Sequence, residues 1–166
     1  MFSTYDRSAT DSVPRARGVI QLVYSADPGA TWDSFVQRTG VEIVRSAYRL
    51  RERFPRRNEE VWDILVDDCL AGWGSLIPDA LDGYPLLGVG IFPEYQRRGV
   101  RQIAKSELAD IAQREGYPGV KTTVRLSNPI HLARVLRESA TSKFRFAGFI
   151  TLPPPGYAQF VYSFKE

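Results

Sequence analysis

One segment of this 166-residue chain limits its possible folds more than any other. Tyr84–Phe92 has the pattern of a buried strand, Arg98–Glu115 carries apolar residues on one helical face, and Val120–Ser127 is rich in β-branched residues. Gly116 suits the C-terminal stop of the helix. A strand, a long helix and a second strand form a right-handed crossover between parallel strands. The sequence therefore predicts a parallel strand pair joined by a helix.

The segments on either side of this crossover favour antiparallel pairing. Glu60–Asp68 and Ala71–Asp79 are predicted strands separated by very few residues, and Phe144–Leu152 and Tyr157–Phe164 are joined by the proline-rich segment 153–156. Short connections of this kind join antiparallel neighbours, whereas parallel strands need a long crossover. We therefore expect an α/β (α+β) fold with a mixed, mostly antiparallel sheet and helices on both of its faces.

Further elements complete the predicted order. Gly18–Ala26 is a β-branched, apolar strand that stops at a turn signal. A helical stretch with Thr31 as its candidate N-cap follows, ends at Pro55, and is expected to divide into two helices. A short helix is expected from Pro129 to about Glu138. The order is therefore strand, two helices, three strands, helix, strand, helix and two strands.

The length and composition favour one well-filled domain. With 43% hydrophobic and 12% aromatic residues, the chain supports a single core and is short for two. Residues 1–17 are polar and weakly patterned. We therefore expect a loosely ordered N-terminal arm over residues 1–17 and a single domain over residues 18–166.

Charge and residue counts exclude several classes of protein. A net charge of +3 suits an anionic ligand but is small for a dedicated nucleic-acid binder. One cysteine, Cys69, and one histidine, His131, cannot form a disulfide framework or a Cys/His zinc site, so no metal is expected. Neither a membrane-spanning apolar run nor the apolar core of a signal peptide is present in the sequence. We expect a soluble, cytoplasmic protein without a membrane partner.

The stretch Ile91–Gln102, IFPEYQRRGVRQ, joins the predicted central strand to the long helix and has the composition of an anion site. The first four N–H groups of a helix have no acceptor within the helix, and together with the helix dipole they attract an anion. Gly99 has no Cβ and lets a phosphate oxygen approach the backbone closely. Four side chains add donors: Gln96, Arg97, Arg98 and Arg101. A pyrophosphate would satisfy this concentration of donors.

The spacing of this stretch excludes two common nucleotide motifs and matches a third. It lacks the second glycine and the Lys-Ser/Thr pair of a P-loop, and GVGIFPEYQRRG does not fit the dinucleotide pattern GxGxxG. It resembles the signature of the GNAT superfamily of acyl-CoA-dependent N-acyltransferases, in which a strand ending in hydrophobic-x-Pro precedes Gln/Arg-x-x-Gly-x-Gly/Ala at a helix start. Four residues match that signature in register: Ile91, Pro93, Gln96 and Gly99. Ala147-Gly148-Phe149 and the element order extend the resemblance.

The resemblance implies a GNAT-like fold with a splayed parallel pair, and acetyl-CoA or another acyl-CoA as the cofactor. In the family, the strand before the motif binds the pantetheine arm through its backbone, and the corresponding residues are Val89, Gly90 and Ile91. The pyrophosphate would lie on the loop and helix start, which comprise Gln96, Arg97, Arg98, Gly99, Val100 and Arg101. Asn128 opens the next helix as a family asparagine often does, and it would contact the pantetheine. The implied reaction is direct acyl transfer, in a ternary complex, to a primary amine of a small molecule or a protein.

Two positions depart from the family pattern. Arg101 stands where the family usually has glycine or alanine, and its side chain could instead point outward and bind the 3′-phosphate of the cofactor. Val135 stands where the family usually has the tyrosine that serves as general acid. Two candidate catalytic residues remain, His131 and Tyr84. His131 could act as an acid, a base or a substrate contact. Tyr84, like the two aspartates that precede it, could present an oxygen to an amine.

These departures leave alternatives open. One is a protein of the same fold that has lost turnover and serves as a structural or interaction component, for example of a virion or a regulatory assembly. A nucleic-acid binder is disfavoured by the modest net charge. An arginine cluster would attract an acidic acceptor or partner, unless it is a solvated surface paired with nearby glutamates. Its members include Arg45, Arg49, Arg53, Arg56 and Arg57. The aromatic last strands suit a homo-oligomer contact or ordinary core packing.

Overall fold

The structure is a computed structural model that describes residues 18–38, 58–138, 144–152 and 156–165. Over these residues the chain forms seven β-strands, three α-helices and a short 3-10 helix at Pro93–Tyr95. The strands and α-helices are β1 (Ile20–Tyr24), α1 (Pro28–Gln37), β2 (Glu60–Val66), β3 (Cys69–Ile77), β4 (Leu86–Ile91), α2 (Val100–Arg114), β5 (Gly119–Arg125), α3 (Pro129–Glu138), β6 (Phe144–Leu152) and β7 (Tyr157–Phe164).

The strands form a seven-stranded sheet in the order β1-β2-β3-β4-β5-β7-β6. The pairs β1–β2, β5–β7 and β6–β7 are antiparallel. The pair β4–β5 is parallel, with Leu86 opposite Lys121, and α2 is the crossover between its two strands. The predicted α/β fold with a mixed, mostly antiparallel sheet is therefore confirmed. None of the described helices is long and apolar enough to cross a membrane.

Most element boundaries lie within two residues of the predicted ones, and the bounds of β6 and β7 agree with them. Hydrophobic periodicity sets where an element lies, but the hydrogen bonds that end it depend on its neighbours. Three predictions lie outside the described residues: the arm at residues 1–17, the helix that continues to Pro55, and the arginine cluster of residues 45–57.

The first helix begins earlier than predicted, and Thr31 is not its N-cap. Asp27 caps α1, since its Oδ1 accepts a hydrogen bond from the N–H of Ala30 at 3.1 Å, and Pro28 lies in the first turn. Aspartate is a strong N-cap and proline has the φ of a helix start, so the segment predicted to be a turn begins the helix instead. Thr31 is buried, and its Oγ1 donates to Asp63 Oδ1 at 2.7 Å.

Contacts divide the described chain into two compact units. The first contains the described residues up to Ser75 together with Val89–Glu107, and the second contains Leu76–Gly88 and the residues from Leu108 onward. One core cluster of the first unit comprises Ile64, Ala71, Ile91, Val100 and Ala104. Another comprises the buried Trp32 and Val36 of α1, with Phe35 and Trp73 packed against them. The core therefore fixes both the end of β4 and the start of α2.

The second unit has a core between α3 and the β5–β7 pair. Its buried members are Val124, Val135, Ala158, Phe160 and Tyr162. Gly119 lies so close to β7 that a Cβ at this position would be 1.9 Å from the carbonyl oxygen of Tyr162. Only glycine therefore allows β5 to start at this distance from its neighbour.

Candidate functional site

The predicted cofactor residues of the strand, loop and helix start lie in the first unit, along one continuous piece of chain. The N–H of Phe92 donates to the carbonyl oxygen of Ala71 at 2.8 Å, so the backbone of Phe92 faces β3. The carbonyl of Gly90 also faces β3, because a Cβ on Gly72 would lie 2.1 Å from it. Successive residues of a strand present their N–H and C=O groups to opposite edges. Val89 and Ile91 therefore present theirs to the edge that faces away from β3.

The loop after β4 turns sharply into α2. Pro93–Tyr95 forms one 3-10 turn, and the chain then passes through positive φ at Arg97 (62°) and Gly99 (79°). The left-handed region costs a residue with a Cβ roughly 1–2 kcal/mol, and it costs glycine almost nothing. Arg97 therefore holds a strained conformation at the predicted pyrophosphate site, and such strain is concentrated at ligand-binding loops.

Aromatic and ionic contacts within the first unit hold the loop in place. Arg38 Nη1 donates to Glu94 Oε1 at 2.7 Å, and its guanidinium lies over the ring of Phe92, 4.4 Å from the centroid. Phe35 stacks on the same ring, with 6.1 Å between the centroids. Arg38 and Glu94 could not be paired from the sequence, because residues 56 positions apart show no local pattern.

Two loop and helix side chains bond back to the strand. Gln96 Nε2 donates to the carbonyl oxygen of Ile91 at 3.0 Å, and Arg101 Nη1 donates to that of Val89 at 3.1 Å. Arg101 is half-buried, so the outward orientation considered for it is not the one observed. Both contacts are made with the β4 edge that faces away from β3.

The start of α2 has the features that the anion hypothesis requires. The first intrahelical bond runs from the N–H of Ile103 to the carbonyl of Gly99 at 3.2 Å, so the N–H groups that precede it have no acceptor within the helix. The side chain of Val100 is buried in the core, which leaves its backbone as the part that could serve a ligand. Arg97 and Arg98 are exposed, and the guanidinium of Arg98 lies 5.8 Å from the ring centroid of Tyr95.

The second unit contains the other predicted site residues. Asn128 caps α3, and its Oδ1 accepts a hydrogen bond from the N–H of His131 at 3.1 Å. This bond orients the amide so that Nδ2 is the atom with which Asn128 could donate to a ligand. The side chain of His131 is half-buried in the first turn of the same helix.

Val135, at the position of the family's usual acid, contributes to packing. Its side chain is fully buried in the core of the second unit, and its carbonyl oxygen accepts a hydrogen bond from the hydroxyl of Tyr162 at 3.0 Å. A valine side chain has no proton to transfer, so a general acid has to come from elsewhere.

Tyr84, the other predicted catalytic residue, ends a turn that two aspartates organise. Its hydroxyl lies 3.0 Å from Ser163 Oγ, and its N–H donates to Asp82 Oδ1 at 2.9 Å. The N–H of Leu81 donates to Asp79 Oδ1, also at 2.9 Å. Asx turns of this kind fix a short loop locally.

A buried lysine joins the same two aspartates. Lys121 Nζ lies 2.5 Å from Asp79 Oδ2 and 2.9 Å from Asp82 Oδ2. The pKa of Asp79 lies below its ordinary value, mainly because Lys121 hydrogen-bonds to its carboxylate and secondly because the N–H of Leu81 does. Burial, the largest single effect, lowers the pKa of Lys121, but the hydrogen bonds and charges of both aspartates together outweigh it and raise that pKa. The sequence predicts for these aspartates only that they could present an oxygen to an amine, and the ion pair with Lys121 is a finding of the structure.

Comparison with known proteins identifies one family. The model of the acetyltransferase (GNAT) family matches residues 30–133, which is more than half of the chain. No curated protein sequence matches this chain. The matched residues include the end of β4, the loop and the start of α2.

Several solved structures have the same fold at low sequence identity. An acetyltransferase from Salmonella typhimurium that modifies the N-terminal serine of ribosomal protein L7/L12 has a TM-score of 0.61 and 14% identity, over 89% of this chain and 95% of that chain. A spermidine N-acetyltransferase chimera from Vibrio cholerae has a TM-score of 0.62 and 11% identity, over 87% and 95%. A ribosomal-protein acetyltransferase in complex with coenzyme A has a TM-score of 0.59 and 14% identity, over 87% and 93%. At these identities the likeness shows the fold alone.

Proposed function

The chain belongs to the acetyltransferase (GNAT) family, which makes it an N-acetyltransferase, and we propose that it transfers an acetyl group from acetyl-CoA to a primary amine by direct attack in a ternary complex. The observation that carries the proposal is the continuous β4 edge, loop and α2 start. It combines backbone donors with the exposed guanidinium groups of Arg97 and Arg98. Acetyl-CoA supplies a thioester, whose carbonyl carbon the amine attacks.

The residues present fit a CoA-type ligand. The positive φ of Gly99 leaves no Cβ in the way of a phosphate oxygen at the helix start, and the buried side chain of Val100 fixes the backbone there. The edge carbonyls of Val89 and Ile91 have the alternation that an extended pantetheine requires of a neighbouring strand. Asn128 is proposed as a further pantetheine contact through its Nδ2.

Proton transfer needs two groups, because the ammonium of the acceptor must lose a proton and the departing thiolate must gain one. We propose His131 and Tyr84 for these tasks. Histidine has an ordinary pKa near neutral pH and can serve as base or acid, and the Tyr84 hydroxyl has a proton to donate. Positioning of the two substrates supplies part of the rate in addition.

A primary amine is the acceptor class that the structural neighbours support. The Salmonella typhimurium protein modifies an N-terminal serine, and the Vibrio cholerae chimera is a spermidine N-acetyltransferase. A polyamine and a protein N-terminus share only the primary amine. We propose that a primary amine, in a small molecule or a protein, is the acceptor here. Cytoplasmic location and self-association remain predictions.

Thermal unfolding with saturating acetyl-CoA tests the binding step. A ligand at 100 times its dissociation constant stabilises a protein by about 2.7 kcal/mol, which corresponds to roughly 5–10 °C in Tm for a chain of this size. Arg98→Glu and Gly99→Asp should abolish the rise, because each places a negative charge at the phosphate site. Arg114→Glu is the matched control, since it makes the same charge change at an exposed position at the other end of α2.

A panel of peptides and polyamines then tests turnover. Acetylated product above the uncatalysed rate, lost in Gly99→Asp and retained in Arg114→Glu, would support the proposal. No Tm rise in the unmodified protein would refute acetyl-CoA binding. A Tm rise without product from any amine would favour the alternative of a fold that binds the cofactor but has lost turnover.

A further inference from the structure

The side chain of Arg101 and an extended pantetheine arm use the same backbone acceptor. Pantetheine contains two amide groups, and in an added-strand arrangement their N–H groups donate to carbonyls on the strand edge. Because alternate residues of a strand face one edge, Val89 and Ile91 are the acceptors nearest the loop on the β4 edge that faces away from β3. Arg101 Nη1 donates to the Val89 carbonyl at 3.1 Å.

Gln96 and Arg101, whose bonds to this edge are described above, differ in charge. Gln96 is neutral, and its amide makes a hydrogen bond of ordinary strength with Ile91. Arg101 is a cation with only donors, so its bond to the Val89 carbonyl is charge-assisted and stronger. Its side chain is half-buried against the strand. Among the two, Arg101 is therefore the stronger competitor for the strand edge.

Phosphate offers Arg101 a better acceptor than a carbonyl does. A guanidinium bonds a phosphate through paired N–H groups and with opposite charge, which a neutral carbonyl cannot match. Arg101 lies in the first turn of α2, two residues after Gly99, at the helix end that favours an anion. A ligand with phosphates can therefore compensate the guanidinium for its lost bond with Val89, whereas pantetheine alone cannot.

We propose that Arg101 is a specificity-determining residue. Because of it, pantetheine can bind to the β4 edge fully only when the same ligand supplies a phosphate to the guanidinium. The guanidinium competes with the amide N–H groups of pantetheine for Val89 and moves to a phosphate when the complete CoA binds. The inference rests on the proposed function, because it concerns the same cofactor site. It explains how an arginine can stand where a small residue is usual in the family without closing the site to CoA.

The test compares the affinities of three probes: CoA, pantetheine and adenosine 3′,5′-bisphosphate. They are measured by calorimetry or by competition, for the unmodified protein, Arg101→Ala and Arg98→Ala. Removing a charge-assisted competitor should raise the affinity for pantetheine about tenfold in Arg101→Ala. The affinity for the bisphosphate should fall by about the same factor. The ratio of pantetheine to bisphosphate affinity should therefore rise about a hundredfold.

Arg98→Ala is the matched control, because it removes the same charge from the loop that precedes α2, at an exposed position that lies over Tyr95. It should weaken the bisphosphate and leave pantetheine unchanged. Alanine is the strongest helix former, so Arg101→Ala should fold. Arg101→Met keeps the apolar stem and lacks the donors, so it should change the affinities for pantetheine and the bisphosphate in the same directions as Arg101→Ala.

The outcomes separate this inference from the proposed function. If CoA binds the unmodified protein but pantetheine affinity is unchanged, lower or unmeasurable in Arg101→Ala and Arg101→Met, the competition is refuted and the proposed function stands. If CoA does not bind the unmodified protein, both are refuted. A rise in pantetheine affinity in Arg98→Ala as well would show an effect of net charge, and it would also overturn the role of Arg101.

Discussion

Replacing Asp79 and Asp82 together by asparagine would leave the ammonium of Lys121 without either counter-charge. The Lys121 side chain is 3% exposed, whereas those of Asp79 and Asp82 are 33% and 28% exposed. An unpaired buried charge costs about 3–5 kcal/mol, so the double substitution should lower Tm by roughly 6–20 °C at 2–4 °C per kcal/mol. Urea unfolding should show a matching fall in the midpoint at an unchanged slope.

Replacing the lysine instead of its two partners should destabilise the protein much less. Lys121→Met removes the buried charge itself, and water can reach the two aspartates because they are partly exposed. Replacing a buried ionic group by an apolar one of similar size is often close to neutral. We expect the free energy of unfolding to change by no more than about 2 kcal/mol in Lys121→Met. Adding Lys121→Met to the double asparagine variant should recover most of the stability that the double substitution loses.

The pH dependence of unfolding provides an independent check. The pKa of Asp79 is below its ordinary value of 3.8 in the folded protein, so its stabilising effect is complete above that value and is lost as pH falls through the folded pKa. The pKa of Lys121 is above its ordinary value of 10.5, so its contribution is complete below that value and is lost as pH rises through the folded pKa. Lys121→Met should therefore reduce the acid-induced loss of stability below about pH 4.

The reasoning would be wrong if Lys121→Met destabilised the protein more than the double asparagine variant does. That result would show that the carboxylates, rather than the ammonium, depend on the pair. If the loss of stability at acid pH were the same in Lys121→Met as in the unmodified protein, that result would contradict the stated cause of the Asp79 pKa shift.

Substitutions at three other positions test separate parts of the structure. Asp67 and Asp68 both have positive φ, 50° and 65°, in the two-residue β2–β3 connection. Urea midpoints should therefore follow Gly ≥ Asp > Val at position 68, and the free energy of unfolding of the valine variant should be lower by about 1–2 kcal/mol. An equal midpoint for valine would contradict the strain. Gly90→Ala should lower stability by about 1–3 kcal/mol, because the new Cβ would lie 2.3 Å from Trp73 Nε1; an unchanged Tm would show that the indole moves freely. Asn128→Ala should lower stability by about 1 kcal/mol through loss of the N-cap, and Asn128→Asp should not, as thermal unfolding of both can show.

Sequence reasoning succeeded where the signal is local. The apolar alternation of β4, the helical periodicity of α2 and the glycine that ends that helix lie within one stretch of chain, so they predicted the crossover and its parallel pair. The loop motif around Gly99 was visible for the same reason, because its residues are neighbours in sequence. The N-cap of α1 was misplaced because Asp27 and Pro28 are as common in turns as in helix starts.

The contacts that give the site its specific properties could not be predicted from the sequence. Arg38 and Glu94 are 56 positions apart, and Lys121 and Asp79 are 42 positions apart. Such pairs depend on the register of strands and on which face each side chain occupies, and a shift of one residue reverses that face.

The sequence by itself determined the order of elements and the donor-rich loop, because hydrophobic periodicity and backbone conformation are properties of neighbouring residues. Only the tertiary structure decided that Arg101 bonds to Val89 and that Val135 is buried. The first depends on how the start of α2 lies against β4, and the second on which face of α3 meets β7. Both are set by packing between elements, because burying apolar surface fixes which side chains can meet.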